Sequence, residues 1–181
     1  MIITISGLPG SGKSTVAKML AKKLGYKHHS TGDFMGELAL KRGMSVLELG
    51  KLAEKDKSID KALDDWQAKL GKEEKDCIVD SRLGFHFIPD AVKVFLDVDQ
   101  DVGAKRVFAD LRPDEKENTS LAATKANIQK RIESERKRYR KYYGVDCYDK
   151  KYYDIIIDTT KRTPEQVIRK IEEELEMACG L

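Results

Sequence analysis

The chain opens Ile2-Ile3-Thr4-Ile5-Ser6-Gly7-Leu8-Pro9-Gly10-Ser11-Gly12-Lys13-Ser14-Thr15. The first five of these residues form a short β-branched run, the composition of a buried strand. The next eight, Gly7 to Ser14, fit G-x-x-x-x-G-K-[ST], a loop that wraps phosphate groups. Gly7, Gly10 and Gly12 free the backbone so that successive N–H groups can converge on one anion, with Leu8, Pro9 and Ser11 between them. Lys13 can reach the outer phosphates, Ser14 completes the motif and can bind Mg²⁺, and Thr15 follows it. A helix starting here points its positive end at the same place. Ala17, Leu20, Ala21 and Leu24 recur at helical spacing, so strand, loop and helix follow in order, and Gly25 is a good stop.

A chain of 181 residues can bury a sizeable core as one domain. Charged residues make up 36% of it, yet the net charge is only +3, which gives no whole-chain case for nucleic-acid or membrane binding. Any basic partner site must be local. No apolar run approaches the roughly 20 residues that span a bilayer. With a strand already at Ile2, no targeting segment is expected, and a cytoplasmic location follows. Cys77, Cys147 and Cys179 are odd in number and lack metal spacing, so they read as free thiols of a reducing compartment.

Tyr26 to His29 reads as a second strand. Ser30-Thr31-Gly32-Asp33 then caps a helix running to about Lys41, and Arg42-Gly43 ends it. Ser45 and Glu48 form a capping box for another helix, and a third runs near Ile59–Leu70. Three short helices between strands predict an insertion over a sheet edge. Asp60, Asp64 and Gln67 share one face of the third helix, either a solvated face or the polar wall of a base pocket. Gly71 to Asp76 reads as a connector. Cys77-Ile78-Val79 is a buried strand ending at Asp80, where a carboxylate is well placed for Mg²⁺ or its waters. Arg82, two residues on, can grip a second phosphate with its planar fork.

Val92 to Val98 is the clearest strand after the first. Asp99 caps a helix that carries Arg106. Leu111 to Thr124 lacks apolar periodicity and reads as a mobile loop of the kind that serves as a lid. A long helix follows from about Lys125 to Tyr143. Its stretch Lys130 to Lys141 holds seven basic and two acidic residues, with Arg131, Glu135 and Arg138 on one face. That run fits a solvated helix, a nucleic-acid contact, or a basic helix closing on polyphosphate. Tyr153 to Asp158 is the last strand, and Thr163-Pro164-Glu165-Gln166 opens the last helix. Five β segments alternating with helices favour a parallel sheet covered on both faces, an α/β fold.

Taken together, these segments resemble the nucleoside monophosphate kinases, most closely the archaeal branch of the cytidylate kinases. The resemblance runs nearly end to end. It is carried by Ser30-Thr31-Gly32-Asp33, by Arg42-Gly43-Met44-Ser45 with Gly50 and Ala53-Glu54, and by Asp80-x-Arg82. Pro89 to Leu96, Arg131-x-x-x-Glu135-x-x-Arg138 and Tyr143-Gly144-Val145-Asp146 extend it. It implies a P-loop kinase fold: a three-layer α/β/α domain over residues 1–181 with a five-stranded parallel sheet. It also implies a monophosphate-binding insertion over 30–70 and a lid over 111–143. The implied reaction moves the γ-phosphoryl group of ATP to CMP or dCMP with Mg²⁺.

By the same resemblance, residues 7–15 and Arg106 hold the donor, Arg106 by stacking on its base. Ser14 and Asp80 serve Mg²⁺. Ser30, Gly32, Asp33, Arg42, Asp60, Asp64 and Gln67 serve the acceptor, together with Arg82, Arg131, Glu135 and Arg138. Lys13, Arg82, Arg131 and Arg138 carry the transfer itself. The chain departs from the archaeal pattern at Gly36, where an Arg is usual, and at Asp65-Trp66, where the relatives tend to be basic. The expected partner is a nucleoside monophosphate, with no membrane, no nucleic acid and no second subunit. The same motifs leave room for an adenylate or uridylate kinase, for a small-metabolite kinase of the shikimate or gluconate type, and for a P-loop NTPase acting as an RNA or assembly factor.

Overall fold

The computed structural model describes residues 1–110 and 115–179. Five parallel strands, β1 (Ile2–Gly7), β2 (Lys27–Ser30), β3 (Cys77–Asp80), β4 (Val92–Asp97) and β5 (Ile155–Asp158), form one sheet in the order β2-β3-β1-β4-β5. Because β1 lies between β3 and β4, the chain leaves it in opposite directions on its two sides. The C-terminal edge at that reversal is where open α/β sheets bind ligands. Ile5 stands opposite Asp80 and Gly7 opposite Leu96, so the loop after β1 and the Asp80 carboxylate emerge together.

Alternation along the strands sends side chains to two cores. Ile3, Ile5, Ile78, Val94, Leu96, Ile155 and Ile157 pack against α1 (Lys13–Leu24) and α8 (Pro164–Cys179). Phe95, on the other face, packs with Leu83, Ile132, Tyr139, Tyr148 and Tyr153, while Cys77 and Val79 pack with Leu70 and Ile88. The architecture is thus α/β/α, and the expected parallel sheet is present. Gly25 ends α1 in the left-handed conformation, with φ 70°. Thr163 and Gln166 exchange the two hydrogen bonds of a capping box at the start of α8.

Between β2 and β3 lie α2 (Thr31–Lys41), α3 (Val46–Ala53) and α4 (Ser58–Glu73), with a small core of their own around Ala39, Leu49, Ala53 and Ile59. Ser30 caps α2 by accepting from the Asp33 N–H, and the Ser45–Glu48 box opens α3 as the sequence predicts. α4 runs three residues past the expected end, through Gly71, which lies against Ile88 and needs no bend. Trp66 packs into the Leu70 cluster and stands edge-on to His29 at 5.7 Å.

After β3, a single helical turn α5 (Gly84–Phe87) precedes β4; no sequence signal marks it. α6 (Gln100–Ala109) is capped by Asp99, as expected. α7 (Leu121–Tyr143) begins four residues before the expected start because Ser120 accepts from the Ala123 N–H and caps it there. The sequence loop from Leu111 to Thr124 therefore ends sooner, and its first four residues lie outside the described ones. The last strand is shorter than read: a 3₁₀ turn at Lys150–Tyr152 leads into it, and Asp154 bonds to Lys93 just before pairing begins. Cys77 and Cys147 are buried free thiols, and the Cys179 side chain lies outside the description. Among the described residues, no helix is long and apolar enough to cross a membrane.

Candidate active site

The loop after β1 is shaped by backbone alone. Gly10 and Gly12 take left-handed φ of 78° and 80°. A Cβ on Gly10 would stand 2.2 Å from the Gly103 carbonyl oxygen of α6, and a Cβ on Gly103 would meet the Pro9 carbonyl oxygen at 2.8 Å. Two glycines thus let α6 press directly on the loop. The first helical bond of α1 runs from Val16 N–H to the Gly12 carbonyl at 2.9 Å. The N–H groups of Lys13, Ser14 and Thr15 have no intrahelical acceptor, and no side chain caps them. They form a ready anion site.

Lys13 pairs with Asp80, which is fully buried. Burial lowers the Lys13 ammonium from its ordinary value, Arg82 and Arg131 add to that, and Asp80 opposes it. Burial disfavours the Asp80 carboxylate in turn, yet Lys13, the Ser14 hydroxyl and Arg82 hold it below the usual carboxylate range. The second Asp80 oxygen is buried without a hydrogen-bond partner. A free buried carboxylate oxygen beside a hydroxyl is a hard-oxygen donor set, and it fits Mg²⁺. That ion typically takes one or two carboxylates and completes its shell with phosphate and water.

Two cavities open from this point. One is lined by the loop, Arg106, Glu115, Thr159 and Arg162. The other is lined by Gly32, Asp60, Asp64, Gln67, Glu135, Arg138 and Tyr139, among others. Gly32, Val46, Arg82 and Arg131 line both, so two guanidinium groups stand at the junction. Arg82 Nε donates to Glu135 Oε2 at 3.0 Å, and Arg131 Nε donates to Glu135 Oε1 at 3.2 Å. Tyr148 donates a third hydrogen bond to the same carboxylate. Burial alone would raise the Glu135 carboxyl, but Arg82 and Arg131 outweigh it and hold its pKa at about 2. Glu135 therefore stays ionised and fixes both cations where the cavities meet.

The basic run of α7 divides by face. Arg131 and Arg138 point inward, while Arg136 and Arg140 pair with Asp146 at 3.3 and 2.8 Å. Lys137 pairs with the Glu54 carboxylate, and Lys141 donates to the Glu54 carbonyl at 3.0 Å. Six of the seven basic side chains thus have partners within the chain, which leaves little of the helix for an external polyanion.

The expected residues do not all converge. Ser30, Asp33 and Arg42 line neither cavity: Ser30 caps α2, Asp33 lies 3.4 Å from Lys18 at the surface, and Arg42 is an exposed helix end. Gly36 is buried within α2, and Arg42 does not stand in for an Arg there. Arg138 lines the cavity between α4 and α7 and not the loop cleft; its Nε lies 3.3 Å from Asp60 and its Nη2 donates to Tyr139 at 3.1 Å. Arg106 lines the loop cleft, but its N–H groups are committed to Gly10, Thr159 and Thr160, so it ties the loop to the turn after β5. The Gln67 carbonyl accepts from Ser81.

Sequence reasoning assigned no role to Glu115, Tyr139, Tyr143 or Tyr148. Glu115 accepts from Arg131 at 3.0 Å and has no motif around it. Tyr139 and Tyr143 stand four apart on α7, a spacing that could have marked an inward stripe.

The model of the cytidylate kinase-like family matches residues 2–161. A cytidylate kinase of Sulfurisphaera tokodaii is 37% identical over 95% of this chain and 93% of that protein. A cytidylate kinase of Archaeoglobus fulgidus is 36% identical over 98% of this chain and 96% of that protein. Among solved structures, an uncharacterised protein of Eubacterium ventriosum matches with a TM-score of 0.72 at 22% identity, covering 97% of this chain and 98% of that one. The shikimate kinase of Aquifex aeolicus matches with a TM-score of 0.59 at 22% identity, covering 99% and 98%. At these identities the two structures bear on the fold alone.

Proposed function

The chain belongs to the cytidylate kinase-like family, and from that premise we propose that it transfers the γ-phosphoryl group of ATP directly to CMP or dCMP. The observation that carries the reading is the junction of the two cavities at Arg82 and Arg131, with Lys13 beside it. ATP occupies the loop cleft and the monophosphate the cavity between α4 and α7. The acceptor is already an ionised phosphate, so no strong general base is needed, and catalysis is positioning and charge neutralisation.

The N–H groups at the start of α1 and the Lys13 ammonium hold the donor phosphates, which draws Lys13 away from Asp80. Asp80 and Ser14 would hold Mg²⁺, which when bound offsets phosphate charge. Arg82 holds the acceptor phosphate and Arg131 spans acceptor and donor, both oriented by Glu135. Arg138 and Asp60 form one part of the acceptor wall, and Asp64 another. In this reading residues 30–70 are the monophosphate-binding insertion and α7 is the lid helix, which excludes water from the transfer. The enzyme acts as a cytoplasmic monomer.

The test is Mg²⁺- and ATP-dependent ADP release with CMP, dCMP, UMP, AMP, GMP, shikimate or no acceptor. Strong acceleration by CMP or dCMP, with the diphosphate as product, is the expected outcome. Preference for AMP or UMP would discard the acceptor assignment while keeping the phosphate chemistry. Release that no acceptor stimulates would discard both.

A further inference from the structure

Asp64 lies in the second turn of α4 and is one of two carboxylates, with Asp60, that α4 presents to the acceptor cavity. Each is met by a side chain from α7. Asp60 is paired with Arg138, and Asp64 Oδ2 accepts a hydrogen bond from the Tyr143 hydroxyl at 2.5 Å. Tyr143 is itself tightly placed. Its ring packs edge-on against Phe87 at 5.6 Å and tilted against His86 at 5.5 Å, and the Lys57 ammonium sits 5.3 Å from its centroid. A phenol held by several rings and a cation has little freedom to turn, so it fixes the carboxylate it bonds. Tyr143 does not line the cavity.

We infer that Tyr143 is a positioning residue for acceptor recognition: it aims the Asp64 carboxylate into the base pocket and makes the pocket complete only when α7 is docked. The inference rests on the reading of this cavity as the acceptor site. A carboxylate accepts hydrogen bonds and cannot donate them. Held with its free oxygen toward the base, Asp64 accepts from the exocyclic amino group of a cytosine and faces the carbonyl of a uracil with repulsion. If the hydroxyl is removed, the carboxylate can turn, and the discrimination weakens while the phosphates remain where the junction holds them. Arg138 and Tyr143 are five residues apart on α7, so one helix sets both carboxylates. The helix that covers the transfer also completes the reading of the base.

The experiment compares Tyr143→Phe, Asp64→Asn and the double variant in steady-state kinetics with CMP and UMP at saturating ATP. Loss of one hydrogen bond to a charged group predicts an increase in KM for CMP of about ten- to a hundredfold in Tyr143→Phe. The expected kcat stays within about twofold of the parent, because the junction groups are untouched. The preference for CMP over UMP shrinks, and Tyr143→Phe adds nothing further in the Asp64→Asn background. A purely structural role would instead lower kcat or thermal stability and add to the effect of Asp64→Asn. Additive effects, or an unchanged KM in Tyr143→Phe beside a raised KM in Asp64→Asn, would overturn the inference and leave the acceptor site standing. An unchanged KM in Asp64→Asn would overturn the acceptor assignment of Asp64 and the inference with it.

Discussion

The two halves of the site are built in different ways. The loop cleft is centred on a single run of chain, Gly7 to Thr15, whose backbone N–H groups are held by glycine geometry and by the start of α1, with Arg106, Thr159 and Arg162 around it. The second cavity is assembled from side chains on α2, α3, α4, α7 and the turn after β3, and almost every polar group in it is tied to another. Arg82 and Arg131 share Glu135, Arg138 answers Asp60, and Tyr143 answers Asp64. A site made of backbone tolerates much variation in its surroundings. A site made of mutually oriented side chains lets one change propagate, and it can be retuned for another acceptor without disturbing the donor.

The contrast is open to attack at several points. Lys13→Ala strikes the donor half hardest: turnover falls by roughly 10²- to 10³-fold or more, since a charge on the transferring group is lost. The melting temperature also falls, because the buried Asp80 is left without its cation. Substantial activity in a folded Lys13→Ala protein would remove the donor assignment.

Glu135→Gln probes the junction. Its carboxyl has a pKa of about 2 against an ordinary 4.5, so the folded state favours its ionised form. Stability from this group is full above about pH 4.5 and is lost as the pH falls through about 2. The variant is expected to be less stable by about 3 kcal/mol at neutral pH, with the gap narrowing on acidification between those values. Urea unfolding of both proteins at several pH values measures it, and a gap independent of pH would refute the charge argument. Activity should fall as well, because Arg82 and Arg131 lose their common anchor.

The smallest effect is expected at the outer surface of α7. Lys137 pairs with Glu54 in the open, and exposed pairs contribute little. Lys137→Ala should change kcat and KM by less than about twofold. A large loss would mean that the surface pairs, rather than the buried ones, dock α7.

These differences also decide what could be read in the chain. The phosphate loop was legible because its function is local: a spacing of glycines, a lysine and a hydroxyl in consecutive residues sets the geometry. Caps at Ser30, Ser45, Asp99 and Thr163 were legible for the same reason, since each involves residues within three positions. The start of α7 lies earlier than the sequence suggests because Ser120, a plain cap followed by Leu121 and then Ala122, Ala123 and Thr124, gives no apolar stripe to announce it. The basic run read three ways because charge alone does not say which face turns inward. Packing against Asp60 and Glu54, both far away along the chain, settled that, together with Arg82, which reaches Glu135 from the turn after β3.

The sequence by itself determined the parallel α/β sheet, the loop that grips phosphate and the carboxylate at the end of β3, because each follows from periodicity or spacing over a few residues. Only the tertiary structure decided that Arg138 stands beside Asp60 in the cavity between α4 and α7, that Ser30, Asp33 and Arg42 lie outside it, and that Tyr143 reaches Asp64. The first and last of these depend on where α7 lies against α3 and α4. That placement is set by packing and buried charge across some 80 residues of chain, as in the Tyr143–Asp64 bond with its separation of 79, and local spacing carries no record of it.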